Sequence, residues 1–141
     1  MLLLDNSAWS HLLAGSLPRA QRDMFAEWVE QKRLGVCLPF LLEAGFSARS
    51  AAERRETMTR LEQLPHLSID DEVERAALEA QRELTDVGHH RLSPTDLMIA
   101  ACAARAGGGV LHYDRDYDLI AEHTHLGFES VWVAVAGTLD G

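Results

Sequence analysis

Residues 93–116 read Ser-Pro-Thr-Asp-Leu-Met-Ile-Ala-Ala-Cys-Ala-Ala-Arg-Ala-Gly-Gly-Gly-Val-Leu-His-Tyr-Asp-Arg-Asp, and the fold class follows from them. Ser93-Pro94 is typical of a helix start, and the glycines at 107–109 are a strong helix end. The short apolar run at 110–112 is then predicted to be a strand. A helix that leads directly into a buried strand indicates an α/β protein.

The remainder of the chain repeats this alternation. Helices are predicted at 7–15, 19–31, 39–49, 52–64, 72–85, 94–107 and 117–123, and strands at 1–5, 34–37, 67–69, 110–112 and 130–135. This order predicts a three-layer α/β fold with a central, mostly parallel sheet of about five strands flanked by helices. The length of 141 residues predicts a single domain, 1–141.

Composition limits the classes of function. The net charge of −9 argues against a general nucleic-acid coat protein, although an acidic pocket filled by metal is compatible with a nuclease. The sequence shows no signal peptide and no apolar run long enough to span a membrane, so we expect a cytoplasmic protein. Cys37 and Cys102 lie in apolar surroundings and are predicted to be reduced core thiols.

Five acidic residues occupy positions where a carboxylate is costly. Asp5 ends an apolar run, Glu43 interrupts another, Asp96 precedes a third, and Asp114 and Asp116 follow the strand at 110–112. Carboxylates are rarely buried unless they are paired or bind metal. Because parallel strands end at the same edge of a sheet, Asp5 and Asp114 should converge there. The five acids predict a hard-cation site that suits Mg²⁺ or Mn²⁺.

Each acid also has a purely structural interpretation. Asp96 stands three residues after Ser93, which is close to a capping box. Asp5 or Ser7 could cap the helix that follows, and Glu43 could form a buried ion pair with Arg49. The acids at 114–118 could lie in a solvated turn.

Three other acidic sites are disfavoured. An EF-hand loop starting at Asp114 would need glycine and glutamate where the chain has Leu119 and His125. A phosphoacceptor receiver domain and a haloacid-dehalogenase-type phosphatase would each need a lysine late in the chain. Lys32 is the only lysine, so neither class fits.

Together these motifs resemble the PIN-domain family, and specifically the single-domain VapC toxins of bacterial toxin–antitoxin systems. The resemblance covers nearly the whole chain. It lies in the strand followed by Asp5-Asn6-Ser7, in Leu42-Glu43 within an apolar helix, in Gly88 and the stretch Asp96 to Ala101, and in the strand before Asp114 to Tyr117. The chain departs from the family in having His112-Tyr113 before the final acids, where Thr or Ser is frequent. It also has Tyr117 where Phe commonly follows the last Asp.

The resemblance implies a Mg²⁺-dependent endoribonuclease, with Mn²⁺ as a substitute, that cleaves RNA by a metal-activated water. Asp5, Glu43, Asp96 and Asp114 are the implied catalytic residues, and Asp5, Asp96, Asp114 and Asp116 the implied metal ligands. Ser7 would hydrogen-bond a metal ligand without touching the ion, and Arg91 and Arg115 would contact substrate phosphate. The implied partners are RNA, a cognate antitoxin and a second copy of the chain, with no membrane. The alternative is a catalytically silent PIN-fold module that binds RNA or protein.

Overall fold

A computed structural model describes residues 1–139 of the chain. Seven helices and four strands follow one another within them: β1 Leu2–Leu4, α1 Asn6–Leu13, α2 Arg19–Glu30, β2 Leu34–Gly35, α3 Leu38–Phe46, α4 Ala51–Leu61, α5 Asp71–Asp86, α6 Pro94–Arg105, β3 Gly109–His112, α7 Asp116–His123 and β4 Glu129–Trp132. Residues 140 and 141 lie outside the described part, so the prediction of one domain over 1–141 stays a prediction.

The strands form one parallel sheet in the order β2-β1-β3-β4. β1 is therefore flanked by β2, which follows it in sequence, and by β3, which comes about a hundred residues later. The ends of β1 and β3 are aligned, because Leu4 pairs with Leu111 and the Asp5 amide donates to the Leu111 carbonyl at 3.0 Å. This confirms the predicted α/β fold and defines a switch point at which ligands usually bind.

Helix α6 forms the centre of the buried core. Ile99, Ala100 and Ala101 are fully buried, and the helix packs against β1, β3, α3, α5 and α7. Because these elements bury the helix on several sides, it is apolar around most of its circumference, and its alanines let the elements approach closely. The position of Asp96 in the first turn of α6 is consequently fixed by packing on several sides.

The glycine run after α6 allows β3 to enter the sheet. Gly107 has a φ of +71°, which ends the helix in the left-handed region. A Cβ on Gly108 would lie 2.0 Å from the Met1 carbonyl oxygen, and one on Gly109 would lie 2.6 Å from the Glu129 carbonyl oxygen. Only glycine permits this close approach between β3 and its neighbours.

The predicted strand at 67–69 is wrong. His66 makes only an isolated parallel bridge to Val36, flanked by the hydrogen bonds of Val36 to Pro65 and of Leu67 to Val36. The chain then turns into α5, which Asp70 caps by accepting a hydrogen bond from the Val73 amide at 2.9 Å. Four strands, rather than about five, therefore make up the sheet within residues 1–139.

Several predicted boundaries also differ by a few residues. Helix α3 ends at Phe46 instead of about Arg49, because Ser50 starts α4 by accepting a hydrogen bond from the Glu53 amide. The last strand ends at Trp132, short of the predicted Val135. Within the described residues, no helix is long and apolar enough to cross a membrane.

Candidate metal and active site

Three acids form a compact cluster at the carboxyl edge of the sheet. Asp96 comes from the first turn of α6, Asp114 follows β3, and Asp116 begins α7. Each offers one carboxylate oxygen, and the three oxygens lie within 4.8 Å of one another. We call these three residues the acidic cluster. Asp96 is buried, whereas Asp114 and Asp116 are half-buried, so the cluster opens to solvent on the Asp114–Asp116 side.

Asp5 adjoins the acidic cluster but lies outside the group of three. It caps α1, and its Oδ2 accepts hydrogen bonds from the Ser7 amide at 2.9 Å and the Ser7 hydroxyl at 2.5 Å. The Ser7 hydroxyl oxygen also accepts a bond from the Tyr113 amide at 2.8 Å, which ties α1 to the end of β3. The cap interpretation of Asp5 is thus correct, and the same residue stands next to the cluster.

Tyr117 connects Asp5 to the cluster, and sequence reasoning did not assign it a role. Its hydroxyl donates to Asp5 Oδ1 at 2.6 Å, and the same oxygen lies 3.2 Å from Asp96 Oδ1. The signal available in the sequence was its place directly after Asp116, where the resembling family commonly has Phe. Burial raises the pKa of Tyr117, and the charges of Asp5 and Asp96 raise it further, so its hydroxyl keeps its proton.

The capping-box interpretation of Asp96 fails. Ser93 begins α6 without a side-chain capping bond, and the Asp96 carboxylate faces Tyr117 instead. Burial raises the pKa of Asp96 to about 7, with further contributions from the negative charges of Asp5, Asp114 and Glu43. Metal-free Asp96 therefore binds a proton near neutral pH, and a bound cation would relieve the same repulsion.

Glu43 and Asp116 share this electrostatic environment. Partial burial raises the pKa of Glu43, and the charge of Asp5 adds to the effect. Burial also raises the pKa of Asp116, followed by the charge of Asp114, while Arg115 lowers it. The ion pair considered between Glu43 and Arg49 is absent from residues 1–139, because Arg49 forms an exposed pair with Glu53 at 3.4 Å.

No basic side chain within 1–139 forms an ion pair with any of the five acids. A buried carboxylate surrounded by negative charge and without a cationic partner is unfavourable. The acidic cluster fits a hard divalent cation, because its donors are all oxygen atoms, these oxygens lie close together, and no basic side chain of the described residues pairs with them. Which acids coordinate the ion stays a prediction, because Asp5 and Glu43 lie outside the group of three.

The two arginines predicted to contact phosphate are exposed on loops that flank the cluster residues in sequence. Arg91 precedes α6, and Arg115 lies between Asp114 and Asp116. Arg115 is close enough to Asp116 to lower its pKa. Phosphate contact by either arginine stays a prediction.

A comparison with protein families identifies the class of protein. The sequence profile described as PIN domain matches residues 2–123. The chain belongs to the PIN domain family, and the predicted resemblance is confirmed.

Curated relatives match over almost the whole chain. Ribonuclease VapC18 of Mycobacterium tuberculosis is 34% identical over 139 residues, which cover 96% of this chain and 97% of the relative. Ribonuclease VapC21 of the same species is 39% identical over 138 residues, covering 96% of each chain.

Solved structures of low sequence identity share the fold. The DNA-bound VapBC of Salmonella typhimurium has a TM-score of 0.75 at 21% identity, covering 95% of this chain and 100% of that one. VapBC2 of Rickettsia felis, bound to a DNA fragment from its promoter, has a TM-score of 0.73 at 13% identity and covers 92% and 97%.

Proposed function

We propose that this protein is a metal-dependent endoribonuclease toxin that a cognate antitoxin neutralises. The observation that carries the proposal is the acidic cluster, which gathers three carboxylates at the switch point of the sheet without a basic partner among residues 1–139. The relatives named as VapC ribonucleases support RNA as the substrate.

The acids divide into two roles. Asp96, Asp114 and Asp116 hold the cation. Asp5 binds the same cation directly or through water, and Ser7 fixes the orientation of its carboxylate. A divalent ion held there would act as a Lewis acid, polarising the phosphodiester and activating the water that attacks it. The chemistry of the site favours Mg²⁺, with Mn²⁺ as a substitute, because both ions prefer oxygen ligands.

Glu43 acts on the attacking water. Its side chain is half-buried on α3, it experiences the charge of Asp5, and its pKa is raised toward the range useful for proton transfer. We assign it to orient the water and accept its proton. Arg91 and Arg115 would bind the substrate backbone, since exposed guanidinium groups recognise phosphate oxygens in bidentate fashion.

The antitoxin is the second partner. The structural neighbours are complexes called VapBC, and the excess of acidic residues in this chain is complementary to a basic segment of such a partner. A cytoplasmic location is also proposed, and it rests on the state of the two cysteines. Cys37 and Cys102 are both buried and form no disulfide, as expected of thiols in a reducing compartment.

A second copy of the chain is a further proposed partner. Leu38, Leu42 and Phe46 follow one another at four-residue spacing on α3, and their exposed fractions are 51%, 62% and 89%. Such spacing places the three side chains on one face of the helix. An exposed apolar stripe of this kind is typical of an interaction surface, and we propose it as the dimer interface.

The alternative is a silent PIN-fold module that binds RNA or protein without cleaving it. It is disfavoured because the chain has every acid that the family resemblance implies, and because the three acids of the acidic cluster are close enough to share one ion. Replacement of one cluster acid separates the two functions: a binding module would retain its affinity for RNA, whereas an enzyme would lose cleavage.

Purified protein freed of antitoxin provides the direct test. Total RNA should yield discrete fragments in the presence of Mg²⁺ or Mn²⁺ and stay intact with EDTA. Because water, and not the neighbouring 2′-hydroxyl, is the proposed nucleophile, the new ends should carry no 2′,3′-cyclic phosphate. Intact RNA with either metal, from protein shown to be folded, would contradict the proposal.

A further inference from the structure

Tyr117 lies between the two buried acids of the site. Its hydroxyl oxygen is 2.6 Å from Asp5 Oδ1 and 3.2 Å from Asp96 Oδ1, and the whole side chain is inaccessible to solvent. A phenol carries one hydroxyl proton, and the shorter distance assigns its donation to Asp5. Asp96 lies against the same oxygen, so this single group sets the separation of two carboxylates that are far apart in the sequence.

We propose that the hydroxyl of Tyr117 is a positioning group that fixes Asp5 and Asp96 for the binding of the divalent cation. The inference rests on the proposed function, because it concerns the same acids. Tyr117 would not touch the ion or the RNA. It would act through the two carboxylates that it holds.

The aromatic ring is too constrained to withdraw the hydroxyl. The imidazole of His112 stacks on one side, with ring centroids 4.8 Å apart and an angle of 25°, and the ring of Phe128 meets it edge-on at 6.5 Å. Close packing of this kind disfavours other rotamers of the ring. We therefore expect the hydroxyl to occupy the same position with and without a bound cation.

Asp5 is held from two sides as a result. Ser7 donates twice to its Oδ2, and Tyr117 donates to its Oδ1, so the carboxylate plane is fixed before any ion arrives. The approach of the Tyr117 hydroxyl oxygen is the single side-chain polar contact of Asp96 within residues 1–139. A carboxylate oxygen can accept more than one bond, which leaves Asp96 with free acceptor sites for the cation.

Supporting hydrogen bonds of this kind have a measurable effect on metal affinity. Removal of an outer partner typically weakens binding by about 10- to 100-fold, because the ligand then loses its orientation. Tyr117→Phe removes the hydroxyl and retains the ring that packs on His112 and Phe128. We expect this variant to bind Mn²⁺ at least about tenfold more weakly in a calorimetric titration. RNA cleavage should recover when the metal concentration is raised.

Tyr113→Phe is the matched control. The Tyr113 hydroxyl accepts a bond from the Leu139 amide at 2.9 Å and contacts none of the acids, so its loss should leave Mn²⁺ affinity unchanged. A Tyr117→Phe variant that is folded by circular dichroism and binds Mn²⁺ within about twofold of wild type would overturn the inference. Wild-type protein that binds no metal would instead overturn the proposed function together with it.

Wild-type protein offers a second test that does not depend on how the variant folds. The chain has only two tyrosines, so labelling with ¹³C at the tyrosine Cζ gives two resonances that Tyr113→Phe assigns. The Tyr117 resonance should shift during a Mg²⁺ titration and saturate with the binding curve, while that of Tyr113 stays in place. A Tyr117 resonance that does not move at saturating Mg²⁺ would overturn the inference.

Discussion

The backbone amide of Asp114 donates a hydrogen bond to Nδ1 of His112, with 3.1 Å between the two nitrogens. Nδ1 must therefore be the acceptor, and Nε2 carries the proton that it donates to the Ser130 hydroxyl at 2.7 Å. Ser130 in turn donates to Asp118 at 2.6 Å, and Trp132 donates to the same carboxylate. This chain of bonds requires a neutral imidazole and anchors the turn that presents Asp114.

The first prediction concerns stability at low pH. Burial lowers the pKa of His112 from 6.5 to about 4, despite the opposing charges of Asp118, Asp5 and Asp114. Because the folded pKa is the lower one, His112 contributes stability above pH 6.5 that is lost as the pH falls toward 4. The loss amounts to about 3 kcal/mol at most, since a tenfold change in proton affinity corresponds to ~1.4 kcal/mol.

Urea unfolding at several pH values measures this effect. Wild type should lose more unfolding free energy between pH 6.5 and 4 than His112→Asn, which cannot titrate there. His90→Asn, at an exposed position, should follow the wild-type curve. Parallel pH profiles for wild type and His112→Asn would be inconsistent with a neutral buried imidazole.

The second prediction is that metal affinity rises with pH. A proton and a cation compete for Asp96, whose pKa is raised to about 7 in the metal-free protein by burial and then by the neighbouring acids. Mn²⁺ should bind about tenfold more weakly at pH 6 than at pH 8, because most Asp96 side chains carry a proton at the lower pH. Titrations that give the same affinity at both values would rule out this competition.

The third prediction separates Glu43 from the metal ligands. Glu43→Gln should lower kcat for RNA cleavage by about 100-fold or more, as is usual for the loss of a general base. Its Mn²⁺ affinity should change little, because Glu43 is not among the three acids whose oxygens lie within 4.8 Å. Glu56→Gln, an exposed substitution on α4, serves as the control and should leave both quantities unchanged. Weakened Mn²⁺ binding by Glu43→Gln would place Glu43 among the ligands instead.

The fourth prediction concerns the apolar stripe on α3. Phe46→Glu places a charge on a side chain that is 89% exposed, so the fold of the monomer should tolerate it. Light scattering coupled to size-exclusion chromatography should show a dimer for wild type and a monomer for the variant. Val87→Glu, at an exposed apolar residue outside the stripe, should remain dimeric. A dimeric Phe46→Glu protein would move the interface elsewhere.

The sequence predicted the features that depend on local pattern. The apolar run before Asp5 and the helix–glycine–strand order at 93–112 were sufficient to predict adjacent parallel strands and acids at their ends. The strand at 67–69 was mispredicted because a short apolar run does not reveal how many residues pair with a neighbour. Tyr117 was missed because its hydroxyl meets Asp5 across 112 positions of sequence, a relationship that only the packing of α7 against α6 creates.

The most direct measurement compares wild type with Asp96→Asn for Mn²⁺ binding and RNA cleavage in the same preparation. Asn keeps the volume of the side chain and removes the charge that the acidic cluster presents to a cation. Wild type should bind Mn²⁺ and cut RNA, whereas the folded variant should do neither, and the exposed substitution Asp71→Asn should behave as wild type. Asp96→Asn protein that still cleaves RNA at the wild-type rate would contradict the assignment of this cluster as the catalytic metal site.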